Sequence, residues 1–194
     1  MATAQQLQID TTANALDMAQ EMFGSGIQIV SASFQGDAVQ SGIYTDALST
    51  IPGLSSTDSG VILSTGNVQS FAPYTSGGTN TNQAANTSTD TAGGVNGDAQ
   101  LNALAGGNTF DGAIFNATFV PDGNWITLQF VFSSEEYLEY VSGGYNDAFG
   151  VWVNGVYAPV TVLNGGVAAI DTVNTTQNSN LFLNNPANAD TYNS

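Results

Sequence analysis

The chain carries 16 Asp and Glu and not one Lys, Arg or His, so no side-chain ion pair is open to it. Charged residues of both signs make up about 25% of an ordinary sequence; here they are 8%, all of one sign. The deficit removes whole classes of function. Nucleic-acid binding needs cations against phosphate, and a net charge of -16 repels it. An anionic membrane surface is excluded on the same ground. Without His or Cys there is no Ser-His-Asp or Cys-His nucleophile and no ordinary zinc or haem site. Schiff-base chemistry and lysine cross-links go with the lysines. The electrophile that survives is a bound hard cation.

Acidity of this kind in a chain poor in apolar residues would read as disorder. Here 42% of the residues are hydrophobic and 10% aromatic, enough for a core in one domain spanning 1–194. No run reaches the roughly 18 apolar residues of a membrane span. The opening "MATAQQLQID" shows neither a basic nor an apolar leader region, so the secretion route is not evident.

The pattern along the chain predicts a mainly β fold, an antiparallel β-sandwich or jelly-roll-like domain with one N-terminal α-helix. The helix is expected over about 12–23, capped by Asp10, Thr11 or Thr12. Ala15, Leu16, Met18, Ala19, Met22 and Phe23 make its apolar face, and Gly24 and Gly26 stop it. Strands are read at "IQIVSASF" (27–34), "GVILSTG" (60–66), "AIFNATFV" (113–120) and "NWITLQFVF" (124–132). In the last, Ile126, Leu128, Phe130 and Phe132 alternate with Trp125, Thr127, Gln129 and Val131, which predicts one buried face. "VWV-NG-VYA" and "TVL-NGG-VAA" are Asn-Gly hairpins, since both residues tolerate the positive φ of a type I′ turn. A polar loop is expected over about 74–98, with Asp90 and Asp98 as its charges. A loop that long is either a functional segment or a disordered one.

The chemistry concentrates in "FVFSSEEYLEYVSGGYNDAFGVWVNG" (130–155), which sets Glu135, Glu136, Glu139 and Asp147 close together in sequence. As a helix, Glu135 and Glu139 would stack and repel. As a strand, one of Glu135 and Glu136 would face inward. A buried carboxylate without a partner costs several kcal/mol unless it protonates or binds a metal. Oxygen-only donors select Ca²⁺, which takes six to eight of them. The candidate ligands are Glu135, Glu136, Asn146 and Asp147, with Asp98 from the polar loop. Two other readings stand beside this one: acids simply solvated at the surface, and a glycosidase carboxylate pair.

Four stretches, "DSGVILSTGNV" (58–68), "GDAQLNALAGGNTFDGA" (97–113), "FVPDGNWITLQFVFSSEEYLEYV" (119–141) and "YNDAFGVWVNG" (145–155), together resemble the choice-of-anchor L domain. The resemblance implies a β-rich extracellular domain of bacterial secreted or surface proteins, without established catalysis. Two departures are visible. Where relatives tend to place an acid in the strand before "FVPDG", this chain has Asn116 and Thr118. Further strands would also be expected after "ADTYNS".

The expected function is a non-enzymatic extracellular structural protein, stabilised by calcium and assembling with its own copies into a filament or a surface or biofilm matrix. One copy's edge would complete its neighbour's. The alternative is an adhesion or carbohydrate-binding module of a larger secreted bacterial protein, with surface glycans as partners.

Overall fold

The computed structural model describes residues 7–51, 53–70, 91–134, 136–159 and 166–184. Glu135, most of the polar loop, and the "TVL-NG" part of the second Asn-Gly hairpin therefore lie outside the described residues.

The fold is mainly β and antiparallel throughout, as expected. One sheet takes β1 (Gln8–Asp10), β3 (Ser41–Thr45) and β4 (Gly60–Leu63) in the order β1-β3-β4. Ile9 lies opposite Tyr44, and Ile43 opposite Val61. Leu7, Ala47 and Ile51 form a buried cluster at its edge, with Ile9, Tyr44 and Leu54 packed against it.

The longest pairing joins β2 (Ile27–Gln35) to β5 (Ile114–Pro121), from Ile27 opposite Pro121 to Gln35 opposite Ile114. Strict alternation fails along "IQIVSASF", because Ile27 and Ile29 fall on odd positions and Ala32 and Phe34 on even ones. A bulge between Ile29 and Ser31 resolves this. The extra residue resets the phase, so all four point to the half-buried face while Val30 turns outward.

The first helix, α1 (Ala15–Met22), lies against β2. Met18 and Ala19 are buried, and Phe23 meets Phe119 of β5 at 4.9 Å between ring centroids. Its N-cap is Asn14, where Asp10, Thr11 or Thr12 was expected. Asn14 and Asp17 form a reciprocal capping box, each side chain accepting from the other's end of the first turn. Leu16, assigned to the apolar face by sequence, is exposed. Two short helices join it, α2 (Ala47–Thr50) and α3 (Ala99–Ala105), where a single helix was expected.

The first Asn-Gly hairpin forms as read. β7 (Val151–Val153) pairs with β8 (Val156–Ala158), with Trp152 opposite Tyr157. Asn154 and Gly155 have φ of 52° and 76°, both positive as a type I′ turn demands. β6 (Ala148–Phe149) precedes this hairpin and pairs with β9 (Ala168–Ala169), which places the 166–184 segment beside the acidic box.

Residues 124–132 depart most from expectation. They join no ladder. Ile126, Leu128 and Phe130, expected on a buried face, are 48%, 45% and 39% exposed. Local alternation reports that a segment suits a strand; it cannot say whether the rest of the chain supplies a neighbour.

Candidate functional site

With no cationic side chain present, many of the described carboxylates are met by N–H and O–H donors. Asp10 accepts from the Thr12 hydroxyl and backbone N–H, which together hold its carboxyl below the usual range. Asp37 accepts from Val39 N and, across the fold, from Gly93 N. Asp58 accepts from Leu48 N at 3.1 Å. Asp111 accepts from both the N–H and the hydroxyl of Thr91. Glu21 accepts from the Ser59 hydroxyl, and Asp171 from Ser142 N. Bonds of this type are charge-assisted and about twice as strong as neutral ones. They satisfy an acid without neutralising it.

The acidic box is neither helix nor strand. Residues 136–144 run as successive turns, with Tyr140 N bonded to Glu136 O and Gly143 N to Tyr140 O. This curls the chain back so that its two halves meet. Ser134, 2% exposed, donates its hydroxyl to Asp147 Oδ2 at 2.7 Å and accepts from Glu136 N at 3.1 Å. One buried hydroxyl thus joins the Ser-Glu-Glu-Tyr box to the Asn-Asp-x-Phe-Gly box.

The 166–184 segment closes the other side. Tyr137 donates to Val173 O at 2.6 Å, and Ile170 N donates to Asp147 O. Asn174, 2% exposed, accepts from Thr176 and Gln177 and donates to Ile170 O. Asn174 opens one of the chain's Asn-x-Thr sequons, and its burial makes it a structural amide.

Among the residues expected to bind metal, Glu136 through its backbone N–H and Asp147 through its carboxylate both meet the Ser134 hydroxyl. Asn146 is beside them but acts as a strut: its amide donates to Ala105 O and its carbonyl accepts from Asp171 N. Asp98 stands apart. It is the N-cap of α3, accepting from Gln100 N and Leu101 N. Asn146 meets the opposite end of that helix, about 10 Å away at 1.5 Å per residue. One cation cannot take both. Glu135 is outside the described residues, and among those described no three acidic side chains are close enough to hold a metal ion.

The electrostatic state of the box shows at Tyr137. Burial first, and then the negative charge of Asp147, push its hydroxyl up to about 12. The folded state therefore holds this proton more tightly than the unfolded chain, whose tyrosines titrate near 10. That contribution to stability is complete below about pH 10 and is lost as pH rises through 10 to 12. Solvent screening at this half-exposed site keeps it modest. In a spectrophotometric titration Tyr137 should ionise late, and Tyr137→Phe should remove that late step. An unchanged titration curve would contradict the assignment.

A family model described as Choice-of-anchor L domain matches residues 5–194. No curated protein and no solved structure matches the chain. Among the described residues no helix is long and apolar enough to cross a membrane.

Proposed function

The chain belongs to the choice-of-anchor L family, a family of bacterial secreted and surface proteins, and on that premise we propose a non-enzymatic structural role outside the cell. In this reading calcium stabilises the acidic box, and copies of the chain assemble into a filament or surface matrix. The observation that carries it is Asp147. Its carboxylate is half-buried, satisfied on Oδ2 by the Ser134 hydroxyl alone, and its charge reaches Tyr137. No side chain of the sequence can neutralise it.

The donors suit a hard cation: the carboxylate of Asp147 with the Ser134 hydroxyl bonded to it, and the carboxylate that Glu136 would supply from the adjoining turn. Calcium bound there would supply the missing positive charge and fasten the turns of 136–144 to the strand that follows. Ser134 and Asn146 would act as positioning residues, holding Asp147 and the neighbouring loop. Assembly of subunits charged at -16 needs divalent cations to screen or bridge them. Light scattering and electron microscopy should therefore show growth in millimolar calcium that a chelator reverses. A protein that stays monomeric there at high concentration is not a filament subunit.

One observation favours the adhesive alternative. Tyr145, 64% exposed, stands edge-on to Tyr140 at 5.2 Å. An open aromatic face suits a sugar ring. Glycan binding lost on Tyr145→Ala, without calcium-driven growth, would favour that reading over assembly.

A further inference from the structure

We propose that residues 124–132 are the surface through which two copies of this chain pair, strand against antiparallel strand, about a two-fold axis at Leu128. The proposal rests on the self-assembling reading above and names the contact it would use. Three observations lead to it.

The first is exposure. Trp125 is 92% exposed and Val131 56%, in addition to the exposed Ile126, Leu128 and Phe130. Among the described residues the backbone groups of 125–131 take no hydrogen-bond partner. The segment is nevertheless anchored. Gln129 accepts from Ser56, and the Phe130 ring sits 4.7 Å from that of Phe149. An anchored, apolar run with open N–H and C=O groups is a template for strand addition.

The second is charge. On a chain of net charge -16, the run from Gly123 to Ser134 contains no charged residue. A second copy is repelled by this protein's acidic surface, and this run, like the longer uncharged runs 59–89 and 148–170, adds no charge of its own to that repulsion. A cationic partner would gain nothing by choosing it.

The third is register. An antiparallel pair centred on Leu128 sets Trp125 opposite Val131, Ile126 opposite Phe130 and Thr127 opposite Gln129. Aromatic residues then face β-branched ones, the pairs that stabilise antiparallel ladders, and polar faces polar. Shifting the centre by half a residue or by one residue in either direction sets Thr127 or Gln129 against an apolar side chain. The flanking acids are also spared, because Asp122 falls opposite Ser134 and Glu136 opposite Val120. The sequence is complementary to itself in this one register.

The chain has no cysteine, so a single introduced thiol reports on the contact. At the two-fold axis the two copies of residue 128 have Cα atoms about 4.5–5.5 Å apart, within disulfide reach. Copies of residue 124 lie about 27 Å apart in the same pairing, at 3.4 Å per residue. Under mild oxidation of the full chain, Leu128→Cys should become mostly covalent dimer and Asn124→Cys should stay monomeric. Leu128→Glu, which sets two carboxylates against each other, should sediment as monomer under conditions where the unmodified chain is a dimer. Equal cross-linking at both positions would overturn the proposal. So would a reduced, monomeric Leu128→Cys, the result expected if the segment is covered from within its own chain or by a different protein. Growth in calcium with no cross-link at 128 would overturn this surface and leave the assembly reading standing. Linked dimers that never grow in calcium would support the surface and remove the filament.

Discussion

Replacing Gln40 by alanine should cost about 3 kcal/mol and lower the melting temperature by about 6–12 °C, taking about 2–4 °C per kcal/mol for a chain of this length. Gln40 is fully buried. Its Nε2 donates to Thr65 O at 3.0 Å and to Asp111 O at 2.6 Å, and its Oε1 accepts from Asp37 N at 2.7 Å. One side chain thus satisfies three backbone groups from three separate segments. Each group left buried without a partner costs about 1–3 kcal/mol, less where water enters the void. The neighbouring backbone is shaped around it. Gly36 has φ of 149°, and a Cβ there would come within 2.8 Å of Gln40 Oε1. Gln40→Glu should be at least as damaging, because it aims a carboxylate at two carbonyl oxygens. Chemical denaturation measures both, and a loss below about 0.5 kcal/mol for Gln40→Ala would contradict the role assigned to this residue.

Much of the fold was legible where the signal is local. Strands β2, β4 and β5 fall where apolar runs and turn residues placed them, and "VWV-NG-VYA" folds as its Asn-Gly turn required. Helix α1 was legible as an amphipathic stripe, but its start was not. Asn14-x-x-Asp17 is a capping box, and it outcompeted the earlier Asp10 and Thr12, which satisfy one another instead. Helix α3 carried readable signals, an Asp98 cap and Gly106 at φ of 78° just past its end. The loop read over about 74–98 stops at its cap, and the segment after it was not read as a helix.

Features that depend on distant residues were illegible. Gln40 looks like an ordinary turn residue until Thr65 and Asp111 arrive beside it. The meeting of Ser134 with Asp147 was foreshadowed by the two boxes, yet nothing in the spacing revealed that Asn146 would brace α3 and Asp171. The sequence also hid how its acids are satisfied. Backbone N–H groups and hydroxyls are present everywhere in a chain, and only folding selects the ones that Asp37, Asp58 and Asp111 receive. These donors answer much of the question raised by a chain without cations, and calcium is proposed for the box that holds Glu136 and Asp147.

That place is also where calcium should have its second signature. A cation beside Asp147 removes one of the two causes that raise the Tyr137 hydroxyl. Tyr137 should therefore ionise at lower pH in calcium than in chelator, a difference that Tyr137→Phe should abolish.

The central claim is that calcium stabilises the acidic box, and thermal melting in calcium against chelator tests it most directly. At calcium about 100-fold above Kd, one site on the folded state adds about 2.7 kcal/mol. For a chain of this length that is about 5–11 °C. Extracellular sites often bind with Kd of about 10⁻⁴–10⁻³ M, so calcium in the range of tens of millimolar is the appropriate condition. Glu136→Gln and Asp147→Asn should each remove most of the increment. The asparagine keeps an oxygen for the Ser134 hydroxyl, so its loss would report on charge. Asp98→Asn, at the far end of α3, should leave the increment intact. A calcium-dependent rise that Asp147→Asn abolishes and Asp98→Asn preserves is the predicted result. Equal melting temperatures in calcium and in chelator would contradict the account.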